Sequence, residues 1–490
     1  MLSSKRYINK IESFQNMTEY QKIGFKAGIE IHQQLETGKL FCRCPSIVHD
    51  KNPDIHLKRR LTARAGEGGK IDVAALAEMR KAKEFSYEAC STSSCLVEAD
   101  EEPPLLMNEE ALQIVIQVAQ LVHAKIIDEI QVMRKIVIDG SNVSGFQRTA
   151  LVAVNGYIET SRGRVSIPGV NIEEESAKKI ETTEQGVKYR LDRLGVSLIE
   201  ISTGPELADP EHVKEAAEKI GMILRSTGKM KRGIGTIRQD VNVSIAGGAR
   251  TEIKGFQDLR SIPQVIVFEI ERQQKLISEG KKVESEVRKA EPDLTTSFLR
   301  PMPGAARMYP ETDIPPVLVS TTLLREKKIE LIDDLVQDLV DTYKLDKDIA
   351  ANLVKMQQKD FFKSLCAQHK NLKPSFIADT LLSAPKQVKQ KFNVEIKPTE
   401  QEYEILFEAL DMGKIAKESI LDILKEHKEI RNVIKKYELM SDEELERQIK
   451  KIILENKNMP AKALIGKAMA QLRGKAEGRK IVDMLERSSK

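Results

Sequence analysis

Apolar and polar residues alternate strictly in several short runs of the first half of the chain. In GFKAGIEIHQQL, residues 24–35, Ile29 and Ile31 alternate with Glu30, His32 and Gln34, the period of two that predicts a strand with one buried face. EIQVMRKIVID, ALVAVNGYIET and YRLDRLGVSLIEIS read the same way. EEALQIVIQVAQLVHAK and DPEHVKEAAEKIGMILRSTG carry the helical period, the second with Asp209 as N-cap before Pro210. Strands with interspersed helices and no strict alternation predict an α+β domain on an antiparallel sheet. Residues 301–317, PMPGAARMYPETDIPPV, hold five of the eighteen prolines and suit neither a helix nor a central strand. Beyond residue 321 nearly everything repeats every 3.6 residues. The pattern predicts a flexible leader over 1–22, a sheet domain over 23–320, an all-α helical domain over 321–430 and a small helical tail domain over 431–490.

The stretch GTIRQDVNVSIAGGARTEIKG, residues 235–255, predicts a hairpin whose polar side chains share one face. Arg238, Asp240 and Asn242 fall on even positions of the first strand, Glu252 and Lys254 on even positions of the second. For the two polar faces to coincide, paired residue numbers must sum to an even value. That condition predicts a three-residue loop, Ala246 to Gly248, with Gly248 left-handed. Asp240 then faces Lys254, and Asn242 faces Glu252. Carboxylates interleaved with Arg and Lys suit a magnesium and phosphate cradle: hard cations take oxygen ligands, and phosphate takes guanidinium and ammonium groups. An exposed face laced with cross-strand ion pairs reads the same way. The pattern recurs at Glu30 and His32, and at Glu200 between Ile199 and Ile201. Glu173, Glu174 and Glu175 stand at a predicted strand-to-helix junction.

Length and composition narrow the classes. At 490 residues, 41% apolar and 31% charged, the chain is a multi-domain globular protein with no run long enough to span a membrane. The first residues have no apolar signal-like core, so a cytoplasmic location is expected. Net charge is only +4, but residues 451–490 hold ten Lys or Arg against four Asp or Glu (10 − 4 = +6). Such a tail suits a polyanion, or else a solvated helix face.

Five cysteines argue against a disulfide framework. Cys42 and Cys44 form C-x-C, and Cys90 and Cys95 form C-x4-C; four thiols in two close pairs suit a structural Zn²⁺ site, with buried free thiols as the alternative. Neither a P-loop nor a dinucleotide fingerprint occurs, so a nucleotide would rest on the polar sheet face itself. VIDGSNVSGFQRT, residues 137–149, adds a glycine-containing loop ahead of Arg148.

At GIEIHQQL, KLFCRCP, CLVEADEEPP, VIDGSNVSGFQRTALVA, YRLDRLG, GTIRQDVNVSI and RPMPGAARMYPETDIPP the chain resembles the E subunits of archaeal glutamyl-tRNA(Gln) amidotransferase, relatives of the bacterial B subunit. The end, NMPAKALIGKAMAQLRGKAEGRKIVDML, resembles the tail domain those subunits share. The resemblance implies a catalytic cradle over 23–320 and an enzyme that converts Glu-tRNA(Gln) to Gln-tRNA(Gln), ATP phosphorylating the γ-carboxyl before ammonia displaces phosphate. It implies ATP and Mg²⁺ as cofactors, an asparaginase-like D subunit (GatD) as ammonia source in a heterodimer or heterotetramer, and tRNA held by the basic tail. By motif, Glu30, His32 and Glu174 are the expected metal ligands. Asp192, Glu200, Arg238, Asp240, Asn242, Glu252, Lys254 and Arg148 complete the expected cradle. Two rival readings of the same residues are a non-catalytic tRNA-binding scaffold and an amide ligase that needs no RNA. The chain departs from the family's pattern in one place: about eight residues, Ile277 to Glu284, stand where archaeal E subunits carry a domain resembling an insert of aspartyl-tRNA synthetase.

Overall fold

The computed structural model describes residues 17–490 apart from 50–51, 63–64, 66–68, 72–74, 77–78, 81–83, 184–185, 257, 303–307, 321–329, 427–429, 457–458, 473–475, 477 and 489–490. The chain divides into two compact units, Met1–Leu331 and Ile332–Lys490. Of the expected leader, residues 1–16 lie outside the described residues and Met17–Lys22 form helix α1.

The first unit is α+β. Its main sheet is built from β1 (Lys26–Lys39), β2 (Val132–Ile136), β3 (Phe146–Thr160), β4 (Gly163–Glu174), β5 (Val196–Ser202), β6 (Ile237–Ser244), β7 (Thr251–Lys254), β8 (Glu286–Ala290), β9 (Thr296–Pro301) and β10 (Met308–Pro310). Across the sheet they run β9-β8-β7-β6-β1-β5-β4-β3-β2-β10, and Lys125–Ile126 adds a short strand to β3. Helices α2 (Glu109–Leu121), α3 (Pro210–Ser226) and α4 (Ile262–Ser278) belong to the same unit. Neighbouring strands are antiparallel except β7 and β8, which α4 connects as a crossover and which therefore run parallel.

Alternation settles which face is buried. Ile29 and Ile31 of β1, Ile199 and Ile201 of β5, and Val241 and Val243 of β6 share one core with residues of α2, α3 and α4. The helices cover that face, and the intervening polar residues are left on the other. Asp209 caps α3 as its sequence predicts, its side chain accepting from the His212 N–H with Pro210 in the first turn.

Chain connectivity forces the sheet to curve. Ten strands laid flat, about 4.8 Å apart, would place β9 and β10 roughly 43 Å from one another. Only seven residue steps join Pro301 to Met308 (308 − 301), a reach of at most about 25 Å. Pro301 ends one edge strand and Pro310 ends the other, positions where a missing N–H does no harm, and with its two edges this close in the chain the sheet is curved into a trough.

Three local expectations need correction. After Glu174 the chain enters no helix: Lys178–Thr182 is an exposed strand paired with Gly186–Arg190 in a separate four-stranded sheet. The 235–255 hairpin keeps the expected register, Asn242 opposite Glu252 and Val241 opposite Ile253. Its left-handed residue, however, is Gly247 (φ +74°), and strand pairing stops at Val243 and Thr251, leaving a longer loop. Gly248 is glycine for another reason, since an added Cβ would lie 2.2 Å from Gln273 Oε1 of α4.

The second unit is all α among its described residues, from Ile332–Tyr343 to Gly478–Ser488. It holds two apolar cores, one between Val336 and Ile434 and one between Leu445 and Leu485. No described helix is long and apolar enough to cross a membrane.

Candidate active site

A cavity of about 1050 Å³ fills the trough and touches side chains from eight of the ten strands, from Lys135 on β2 to Arg300 on β9. Strand register explains how residues far apart in sequence meet there. His32 is the Cα partner of Glu200 on one side and of Arg238 on the other; Glu30 is the partner of Asp240. These positions share the polar face because the side-chain period is two.

On the wall of the cavity, His32 Nε2 lies 3.2 Å from Glu200 Oε2 and 3.3 Å from Glu30 Oε1. One ligand atom from each residue falls within 4.8 Å of the others. Glu173 adjoins this group: Lys135 Nζ is 2.8 Å from Glu173 Oε1 and 3.5 Å from Glu200 Oε2. The electrostatics follow from packing so many acids under little water. Burial, then the Glu200 charge, pushes the Glu30 carboxyl up to about 7. Burial pushes His32 down, but its bond to Glu200 and the surrounding carboxylates outweigh that and raise it to about 8. Burial and Glu200 also raise Glu173. Glu200 itself is held well below the usual range, because Lys135 and His32 overcome its burial. The group therefore carries protons that a divalent cation would replace. Two carboxylates and an imidazole in reach of one point, open to a cavity, fit a magnesium ion that keeps several waters.

The cations expected to meet phosphate are present and paired. Lys254 Nζ is 2.5 Å from both Asp240 Oδ2 and Glu252 Oε1. One Arg238 terminal nitrogen donates to both oxygens of Glu175, each at 2.7 Å. Arg250 and Arg300 line the cavity too and form no ion pair among the described residues. Asn242 stands opposite Glu252 but beyond the residues that line the cavity.

Three further expected site residues, Glu174, Arg148 and Asp192, are placed elsewhere. Glu174 follows Glu173 directly and so points to the other side of β4, where its carboxylate accepts from the Arg148 N–H and guanidinium at 3.1 and 3.2 Å. Arg148 in turn donates from Nε to Glu311 Oε2 at 2.7 Å. Glu174 and Arg148 thus form a buried ion-pair lattice with Glu311 beneath the sheet. Asp192 is fully buried and accepts from the backbone N–H groups of His49 and Cys90 and from the Ser93 hydroxyl. It ties a loop down instead of facing the cavity. Lys135, Glu173 and Arg300 line the cavity although neither pattern nor motif assigned them to it. The Glu173 signal was available, since Asn171 and Glu173 alternate with Val170 and Ile172.

A second cluster lies outside this cavity. Ligand atoms of Cys42, Cys44, Cys95 and Glu98 all fall within 4.8 Å of one another. Cys90 is not among them: it is buried separately, its N–H on Asp192. Glu98 takes the fourth place, accepting from Cys42 Sγ at 2.9 Å and from the Cys95 N–H at 2.8 Å. Burial and Glu98 both raise the Cys42 thiol. Three sulfurs and a carboxylate are a donor set that zinc accepts.

Residues 25–325 match the model of the GatB/GatE catalytic domain, and residues 360–488 match the GatB domain. The chain is 36% identical to the E subunit of glutamyl-tRNA(Gln) amidotransferase from Methanocaldococcus jannaschii over 624 positions, covering 96% of this chain and 99% of the relative. It is 36% identical to the protein of the same name from Thermococcus sibiricus, with 96% and 98% covered, and 34% identical to that of Saccharolobus solfataricus, with 95% and 98% covered. The alignment runs to 624 positions although it covers only 96% of this 490-residue chain, so the relative carries additional sequence amounting to a small domain. Ser278 and Glu286, where the sequence resemblance places the absent domain, are joined by seven residues that include Gly280 at φ +70°. With most of its length matched on both counts, the chain belongs to the GatB/GatE amidotransferase family.

Proposed function

We propose that this chain is the amidating subunit of a glutamyl-tRNA(Gln) amidotransferase, acting in the cytoplasm on Glu-tRNA(Gln) with ATP and ammonia. A single observation carries the reading: Glu30, His32 and Glu200, from two neighbouring strands, meet in a trough whose wall also bears Arg238, Arg250, Lys254 and Arg300. A carboxylate does not exchange oxygen for nitrogen directly, because oxide is too poor a leaving group. Its oxygen first attacks the γ-phosphorus of ATP; an O–P bond forms and ADP departs. The nitrogen of ammonia then attacks the acyl carbon, phosphate leaves with the C–O bond electrons, and the nitrogen loses a proton.

Glu30, His32 and Glu200 would hold magnesium, which supplies charge neutralisation on the transferring phosphoryl group. Lys254 and Arg238 contribute by exchange. Each is held by carboxylates in a fixed direction, ready to face phosphate oxygens at little cost in side-chain entropy. Arg250 and Arg300 offer uncommitted positive charge on the same wall. The curved sheet turns these groups toward one volume.

The chain's remaining parts divide the other tasks. The Cys42–Cys44–Cys95–Glu98 cluster holds a structural zinc. The basic tail grips the tRNA body through phosphates. The names of the relatives denote one subunit among several, which supports a heteromeric complex; in this reading an asparaginase-like D subunit supplies the ammonia. Incubation with Mg-ATP, Glu-tRNA(Gln) and an ammonium salt tests the reading. Gln-tRNA, ADP and phosphate in equal amounts are expected; formation of neither Gln-tRNA nor ADP would reduce the chain to a tRNA-binding scaffold.

A further inference from the structure

Lys39 is the last residue of β1 and one of the largest fully buried side chains among the described residues. An ammonium taken wholly out of water is costly unless it is closely paired and hydrogen bonded. The contacts of Lys39 are at the outer limit of what could do this. Its Nζ lies 3.5 Å from the Leu191 carbonyl oxygen and 3.6 Å from Glu98 Oε2, and it forms no other ion pair among the described residues. Glu98 is also shared, since it accepts from Cys42 Sγ and from the Cys95 N–H. One distant, divided carboxylate is a poor reason to bury a lysine where a methionine would fill the same space.

The side chain is nevertheless tightly enclosed. Gly195, in the turn before β5, has φ +81°, and an added Cβ there would lie 3.2 Å from Glu98 Oε1 and 3.5 Å from Lys39 Cδ. Glycine lets the turn close over the pair. Charge counting supplies the missing reason for the lysine. As thiols, the neighbouring cysteines add no charge. Bound to zinc as thiolates, Cys42, Cys44 and Cys95 together with Glu98 bring four negative charges against two positive (2 − 4 = −2). Such an excess calls for a cation that water does not screen. Arg43, between two of the cysteines, is exposed, whereas Lys39 is not.

We propose that Lys39 is a positioning residue of the cysteine cluster, its ammonium offsetting the charge of the zinc-bound thiolates. It also fixes Glu98 through Oε2, leaving Oε1, beside Cys42 Sγ, for the metal. The inference rests on the zinc reading given above and adds what the buried lysine is for.

Zinc dissociation constants are measured by competition with a chromophoric chelator for the full chain, for Lys39→Met, for Glu98→Gln and for the double variant, in which neither partner of the buried pair keeps its charge. Lys39→Met weakens zinc about 10- to 100-fold, the range for removing an outer group that tunes a metal site. The double variant binds zinc about tenfold or more weakly than Glu98→Gln does, because the thiolates keep their charge when Glu98 loses its own. Equal affinities of Glu98→Gln and the double variant would overturn the proposal, reducing Lys39 to the ion-pair partner of Glu98. Wild-type affinity in Lys39→Met would overturn it too. A wild-type chain with no measurable zinc affinity overturns the zinc reading and this inference with it, a separate failure that needs no variant to detect.

Discussion

His32 Nε2 stands 3.2 Å from Oε2 of Glu200, a residue 168 positions further along the chain. The contact exists because β1 and β5 are sheet neighbours in a register that sets these two residues opposite each other. Replacing Glu200 with Gln keeps the shape and removes a charge. Amidation by the Glu200→Gln variant should fall about 100-fold or more in kcat/KM, equivalent to at least about 2.7 kcal/mol of lost transition-state stabilisation. Raising magnesium should recover part of it. Steady-state kinetics across a magnesium series checks this, and a magnesium-independent loss would count against a metal role.

Glu173 and Glu174 are adjacent yet serve opposite faces of β4. Glu174→Gln should leave the cavity intact and weaken the lattice under the sheet, because Arg148 loses one of its two carboxylates. Breaking a buried pair costs about 3–5 kcal/mol. A lowered melting temperature is expected, with turnover at a permissive temperature within about threefold of wild type. Glu173→Gln should lose activity out of proportion to stability. A stable but inactive Glu174→Gln protein would contradict the assignment.

Acid should loosen the first unit through Glu311. Burial raises that carboxyl, but hydrogen bonds from Arg134 and the Asp313 N–H, with the Arg148 charge, bring it below its ordinary value. A carboxylate depressed in the folded state contributes stability above its unfolded value, near 4.3; that stability is lost as pH falls from there through the lower folded value. Chemical denaturation of wild type and Glu311→Gln between pH 3 and pH 7 should therefore converge at the acid end. A constant gap across that range would show that Glu311 contributes no proton linkage.

Metal content separates the thiols. Purified protein should carry about one zinc per chain. Cys95→Ser should lose it, whereas Cys90→Ser should retain it, because Cys90 lies outside the four-ligand cluster. Elemental analysis after dialysis against a mild chelator gives the answer. Equal retention by both variants would remove the case for zinc at this place.

The basic tail predicts a salt dependence. Exchanging two lysines of residues 461–480 for alanine should weaken tRNA binding at low salt and flatten the slope of log K against log salt by about 1.8. ATP binding should be unchanged. A slope equal to wild type would move the phosphate contacts elsewhere.

Much of the trough is legible in the sequence because a strand's period is two. Glu30, His32, Arg238, Asp240, Glu252 and Lys254 can be assigned to one face from parity alone, and the hairpin register follows from the same condition. Parity also points to Glu173, but the family motif favours its neighbour. Residues whose work depends on distant partners are harder. Asp192 and Arg148 are as polar as the cavity residues, and nothing local tells that one anchors a loop while the other ties β3 to the segment at Glu311. Cys90 and Glu98 differ in the same way: spacing in the chain does not say which side chain a loop turns toward the other thiols. Curvature of the sheet follows only once strand order is known, since the short reach from Pro301 to Met308 means nothing until both are edges.

A crystal structure of the full chain with Mn²⁺ and a non-hydrolysable ATP analogue, read by anomalous scattering, tests whether the trough is the phosphoryl-transfer site. The manganese peak should lie within coordinating distance of Glu30, His32 and Glu200, with the analogue's phosphates toward Arg238 and Lys254. A peak held by other residues, or an analogue bound outside the trough, would contradict it.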